Sequence, residues 1–183
     1  MQHGFLFTLK GNNNTLSLLF LMEAVFKSYT AYILAKTVKS PVVMTSQVSS
    51  ISLVKHQNSK YFRLKPDLVL KKDDNIISVL DSKWKLLKQT KNNGTDKYGL
   101  SQADFYQMFA YGYKYMNGEG EMFLIYPWHE NFTQSIEDSF DFSLEEGKSL
   151  KLFVMPLCIN ESTPDNKRLI WPKNANTPRI NSF

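Results

Sequence analysis

Cysteine is nearly missing from this chain. Cys158 stands alone in 183 residues, which excludes an internal disulfide and fits a reducing compartment. The three histidines, His3, His56 and His129, are scattered, and no Cys/His spacing resembles a zinc site. None of them has an evident nucleophile partner, so hydrolysis through an activated serine or cysteine has no support. Long apolar runs are lacking too. The longest near the N-terminus, Leu16 to Met22, is interrupted by Ser17 and falls well short of the roughly 20 residues of a membrane helix. Met1 to Lys10 holds no charged segment leading into a cleavable signal. Together these absences predict a soluble, cytoplasmic protein without a membrane partner. There is no internal repeat, no low-complexity run and no acidic excess. Lys and Arg number 22 against 17 Asp and Glu, a net charge of +5, which favours a polyanionic partner, although many basic proteins bind no nucleic acid. The length suits one domain with a proper core better than two.

What is present is concentrated between Pro66 and Lys83. Pro66-Asp67 is followed, after thirteen residues, by Asp81-Ser82-Lys83 at the end of the apolar run Ile76-Ile77-Ser78-Val79-Leu80. Paired carboxylates suit Mg²⁺, a hard cation that prefers oxygen ligands and keeps several waters. A lysine beside them can position an attacking water and offset charge on a phosphate. Leu64–Leu70 and Ile76–Lys85 read as strands joined by the polar turn cluster Lys71-Lys72-Asp73-Asp74-Asn75, a β-hairpin. Alternation places Val79, Asp81 and Lys83 on one face. With the turn centred on Asp74, Asp67 lies opposite Asp81; a slip of one residue sends it to the other face. An Asp-x-Lys triplet is also common on solvated strand edges, but an ionised group closing a buried strand calls for a partner.

Two helices flank this hairpin in the sequence. Residues 101–116 read as one, with Ser101 as N-cap, Asp104 in the first turn and a core stripe of Phe105, Met108, Phe109, Gly112 and Met116. Gln107 and Tyr111, one turn apart and away from that stripe, form a substrate-facing pair or simply an exposed polar flank. The other helix, 15–38, carries Leu19, Met22, Phe26, Tyr29 and Ile33 on one stripe with Glu23 at its edge. Lys83, Lys85, Lys88, Lys91 and Lys97 follow the hairpin, and Gln89–Gly99 reads as a mobile loop that tracks a DNA backbone or is merely solvated. Glu121–Tyr126 and Leu150–Leu157 read as further strands, Trp128–Lys148 shows no period, and Asp165–Phe183 reads as a loose tail that Trp171 docks. The fold class is therefore α/β, a central mixed sheet with helices on its faces.

Four blocks in order, Phe62–Leu70, Val79–Lys85, Asp104–Tyr111 and Leu124–Pro127, resemble the McrC family, the nuclease subunit of the 5-methylcytosine-specific McrBC restriction system. The resemblance implies a PD-(D/E)XK restriction-endonuclease-like fold over residues 1–160, with 161–183 as a C-terminal extension. It implies Mg²⁺, or Mn²⁺ in its place, held by Asp67, Asp81 and the Ser82 carbonyl. It also makes Lys83 the catalytic lysine and Gln107 and Tyr111 supporting residues. Many members of the superfamily place an acidic residue on the first core helix, which points to Glu23; a surface glutamate is the equal alternative. The expected activity is Mg²⁺-dependent DNA endonuclease cleavage in defence against foreign DNA, with an McrB-like AAA+ GTPase as partner. The family's additional N-terminal region is expected to be lacking, which leaves a non-cleaving module that binds DNA or a partner as the alternative.

Overall fold

A computed structural model describes residues 12–176 other than 47, 49, 50 and 144–146, with side chains from residue 21 onward. Helix α1 spans Asn12–Thr37, and the expected stripe residue Leu19 lies outside the described side chains. Then follow β1 (Val42–Ser46), β2 (Ser52–His56), β3 (Ser59–Arg63), β4 (Leu68–Lys72), β5 (Asn75–Ser82), α2 (Gln102–Tyr115), β6 (Gly120–Pro127), β7 (Ile136–Ser143) and β8 (Ser149–Leu157). Six strands form one mixed sheet in the order β1-β4-β5-β6-β8-β7, while β2 and β3 form a separate ribbon. The central β5, β6 and β8 run parallel; β1, β4 and β7 are antiparallel to their neighbours. Among the described residues, no helix is long and apolar enough to cross a membrane.

The two faces of the sheet follow from strand alternation. Leu68, Leu70, Leu80, Phe123, Ile125 and Phe153 point to the α1 side, where Phe26, Ile33 and Leu34 cover them. Val69, Val79, Met122, Leu124, Leu152 and Val154 point to the α2 side, against Met108, Tyr111 and Tyr115. Strands buried on both faces read as continuous apolar runs, which is why the sequence of β5, β6 and β8 shows little alternation. Gly112 lets α2 approach the sheet: a Cβ there would lie 2.6 Å from the Met122 sulfur and 2.8 Å from Leu150.

Several expectations change on contact with tertiary structure. The helix stripe runs through Met108, Tyr111, Gly112 and Tyr115, so Tyr111 belongs to the buried face, and Phe109 is 37% exposed at its edge against Phe142. Ser101 is the N-cap of α2 but makes no side-chain capping bond. The stretch without a period contains β7, an edge strand whose register shifts between Ile136 and Phe140, and that irregularity breaks the alternation. The expected loose tail is packed over its described part: Leu169 and Ala175 are buried, and Trp171 meets Phe123 edge-on at 5.0 Å. These side chains join the core on the α1 side of the sheet.

Candidate active site

The β4–β5 hairpin sets the site. Its turn is Asp73-Asp74, both with positive φ (51° and 61°), a two-residue connection that matches the twist of the strands. Uncorrected, that turn would place Leu80 opposite Asp67. The register shifts beyond Lys71↔Ile76 so that Leu70 pairs with Ser78 and Leu68 with Leu80, leaving Ile77 as the extra residue. One residue beyond this ladder Asp67 stands beside Asp81, whose side chain shares a face with Val79. The expected pairing is reached by a shorter turn and a bulge instead of a turn centred on Asp74.

Both carboxylates are buried and each is held by specific donors. Asp67 Oδ2 accepts from the Ser82 backbone N–H at 3.0 Å and from its hydroxyl at 2.8 Å. Asp67 Oδ1 is ion-paired with Lys27, which reaches it from α1. Asp81 Oδ2 lies 2.7 Å from Lys83 Nζ. The same ammonium donates to Gln107 Oε1 at 2.7 Å and stands 3.5 Å from Asp104. Gln107 Nε2 donates to the Tyr111 hydroxyl at 2.7 Å, and that hydroxyl donates to the Lys65 carbonyl at 3.0 Å. Tyr126, at the end of β6, donates to Asp104 at 3.3 Å. One chain of hydrogen bonds thus runs from the segment before Asp67, through α2, to the lysine beside Asp81. It closes at the carboxyl ends of β5 and β6, where open α/β sheets bind ligands.

Charge in this cluster is unbalanced: among the described residues, Asp67, Asp81 and Asp104 pair with Lys27 and Lys83 alone. Burial pushes the Asp81 carboxyl up to about 6, and the Asp67 carboxylate adds to the rise against the pull of Lys83. A salt-bridged acid is usually stronger than normal. Here one ammonium, shared with Gln107 and Asp104, does not offset burial plus a second carboxylate. Burial also works against the charge on Lys83, yet Asp81, Asp104 and Asp67 outweigh it and hold its pKa above 10.5. Burial and Asp81 push the Tyr111 phenol up to about 12, and burial and Asp104 raise that of Tyr126, so both are neutral donors. Among the described residues, no three Asp, Glu, His or Cys side chains converge as a ready-made metal site. The donor chemistry nonetheless fits a hard divalent cation: two buried carboxylates with excess negative charge, to be completed by main-chain and water oxygens.

Asp67, Asp81, Ser82, Lys83, Gln107 and Tyr111 are therefore brought together, and Glu23 is not. Glu23 is exposed on α1, one turn before Lys27, and makes no hydrogen bond or ion pair with the cluster. Lys27 and Tyr126 join the site beyond the expected residues. A helical lysine gives no sign of its distant partner, whereas the Tyr126 hydroxyl ending a buried strand is a signal, since such groups need acceptors. The loop lysines divide. Lys83 enters the site, Lys85 donates to the Gly99 carbonyl, and Lys91 pairs with Asp96. Residues 88–98 are closed by bonds such as Tyr98 N–H to Lys91 O at 2.7 Å, and Asn93 Oδ1 accepts from Thr95 and Asp96. An expected backbone-tracking loop is thus largely satisfied within itself.

The chain is similar to known proteins in fold and in family. None of the curated proteins matches the chain. Among solved structures it is similar to a chain of the refined half-complex from a tetradecameric assembly of Thermococcus gammatolerans McrB AAA+ hexamers with bound McrC. The TM-score is 0.52 at 17% identity, a likeness of fold, and the match covers 75% of this chain but 28% of that one. The family model described as McrBC 5-methylcytosine restriction system component matches residues 4–127. Two thirds of the sequence, including both carboxylates, the lysine and the whole of α2, thus place this chain in the family of McrBC 5-methylcytosine restriction system components.

Proposed function

We propose that this chain is a Mg²⁺-dependent DNA endonuclease of the PD-(D/E)XK type, serving as the McrC-like subunit of a modification-dependent restriction system in the cytoplasm. The observation that carries this reading is the meeting of Asp67, Asp81 and Lys83 at the end of β5, with Lys83 tied to Gln107. Asp67, Asp81 and the Ser82 carbonyl would hold Mg²⁺, or Mn²⁺ in its place. A bound divalent ion supplies Lewis acidity and a water of lowered pKa.

The protein's own residues do the rest. Ser82 fixes the Asp67 carboxylate through two hydrogen bonds, which sets the position of one donor oxygen before any ligand arrives. Lys83 stays protonated at neutral pH and faces the site as a fixed positive charge where phosphate charge develops. Gln107, anchored by Tyr111, limits where that ammonium can move. The net charge of +5 favours DNA as substrate. An AAA+ GTPase of the McrB kind is the proposed partner, supported by the family and by a solved relative that contains McrB AAA+ hexamers with bound McrC.

A non-cleaving binding module is the second reading. It is favoured by the ion pairs of Lys27 and Lys83, which partly neutralise the carboxylates as a structural ion cluster would. Cleavage assays on supercoiled DNA with Mg²⁺ or Mn²⁺, with and without the GTPase partner, separate the two. The nuclease reading expects cutting that Lys83→Ala removes; intact DNA under every condition supports the binding module.

A further inference from the structure

The β2–β3 ribbon is built unlike the rest of the molecule. Every residue from Leu53 to Arg63 is exposed, so both faces of the ribbon meet water. Phe62 is 72% exposed and Tyr61 47%. Phe62 also has φ 53°, a left-handed conformation that an aromatic residue adopts rarely. The charge is one-sided: between Ser52 and Lys65 stand Lys55, Lys60, Arg63 and Lys65, with no Asp or Glu. Lys55 and Lys60 are direct cross-strand partners, a like-charge pairing that weakens a two-stranded ribbon already marginal in water. Among the described residues, none of these four cations has a salt bridge.

The base of the ribbon is as fixed as its body is unsupported. The Leu64 N–H donates to the Ile51 carbonyl at 2.9 Å, joining the two legs. The Tyr115 hydroxyl lies within hydrogen-bond distance of Leu64 O (3.1 Å) and Val48 O (3.3 Å), and Tyr111 holds Lys65 O. The helix that supplies Gln107 thus also aims the ribbon, and the chain passes from Lys65 through Pro66 straight into Asp67.

We infer that the β2–β3 ribbon is an arm for the phosphate backbone of nucleic acid, holding the substrate next to the candidate site. Lys55, Lys60, Arg63 and Lys65 contact phosphates, and Tyr61 and Phe62 lie against sugars or unstacked bases. Strands of five residues rise about 17 Å, the span of about five nucleotides of one strand, and a two-stranded ribbon fits the major groove. The inference rests on the proposed function for the identity of the substrate.

The test is fluorescence anisotropy of a labelled DNA duplex titrated with the full 183-residue chain in EDTA over a series of salt concentrations. The parent is compared with Lys55→Glu/Lys60→Glu and with Lys39→Glu/Lys167→Glu, an equal change of charge at two other exposed lysines. Equal thermal midpoints establish that all three are folded. The ribbon variant should bind at least about tenfold more weakly, with a slope of log K against log salt reduced by about 2, the value for two phosphate contacts. The control pair should lose less than about threefold. Equal losses in both variants, or none in either, overturn the arm. So does a ribbon variant that binds DNA normally but no longer associates with the GTPase partner, since the ribbon is then a protein contact. Parallel cleavage assays keep the two ideas apart. A parent that cuts with a dispensable ribbon refutes the arm alone. Ribbon-dependent binding with no cutting under any condition refutes the nuclease reading alone.

Discussion

Two groups of basic residues in this chain work under opposite conditions. Lys27 and Lys83 are set among Asp67, Asp81 and Asp104, tied by ion pairs and, for Lys83, by a hydrogen bond to Gln107. Lys55, Lys60, Arg63 and Lys65 lie on or beside an exposed ribbon whose sequence contains no carboxylate. A half-buried, tethered ammonium acts through position, because reduced solvent screening and fixed geometry make its interactions strong and directional. Exposed cations act through number, because each adds a similar, salt-screened increment of attraction. Substitution in the first group should change rates, and substitution in the second should change affinities.

The largest expected effect tests the first half of that contrast. Lys83→Ala should reduce DNA cleavage by at least about a hundredfold while duplex affinity changes by no more than about threefold, since only the tethered cation is lost. Single-turnover rates beside anisotropy measure both. A variant that loses affinity and keeps its rate would merge the two groups into one.

The electrostatic strain of the buried cluster predicts a pH dependence. The unfolded-state carboxyl of Asp81 titrates near 3.8 and the folded one near 6, so the folded chain binds that proton more tightly. Its contribution to stability is therefore lost as pH rises from 3.8 to about 6, a decline on the order of 1–3 kcal/mol in the metal-free protein. Urea midpoints across this range should fall for the parent relative to Asp81→Asn, which has no such proton to lose. Parallel curves for the two proteins would contradict the buried-charge account.

The ribbon is sharpened by Phe62→Ser. Loss of the exposed ring should weaken binding to single-stranded DNA several-fold, in line with about 1–3 kcal/mol per stacked base, with no change in salt slope. A changed slope with unchanged affinity would assign the ring no stacking role. The smallest effect expected is that of Tyr111→Phe, which removes the donor to Lys65 O and the acceptor for Gln107 while keeping the ring. It should cost about 1 kcal/mol of stability in chemical denaturation. A neutral result would show that the Tyr111 hydroxyl adds nothing to the hold that Tyr115 has on the ribbon base and Lys83 on Gln107.

Much of the site was legible because its residues are close in sequence. Asp81, Ser82 and Lys83 are consecutive, and Asp67 is one hairpin away, so strand alternation and a turn estimate sufficed to bring them together. The route differed: the turn is shorter and the shift at Ile77 restores the pairing, a local irregularity that no apolar pattern announces. Gln107 and Tyr111 were recognisable as a one-turn pair, yet the burial of Tyr111 depends on which arc of α2 the sheet covers. Lys27 was not legible, since its partner lies 40 residues away on another element. The ribbon is not legible in the sequence because a segment exposed on both faces carries no core-facing period, and β7 is not because its register breaks. Lys85 and Lys91 looked available in the sequence, but backbone carbonyls and Asp96 take them up in the fold.

The most direct test of the central claim is cleavage of supercoiled DNA by the full chain and by Asp81→Ala, with Mg²⁺ or Mn²⁺ and with an McrB-like GTPase present. The account predicts nicked or linear product from the parent and none from Asp81→Ala, with equal duplex binding by both. Cutting by Asp81→Ala at the parent's rate would contradict it.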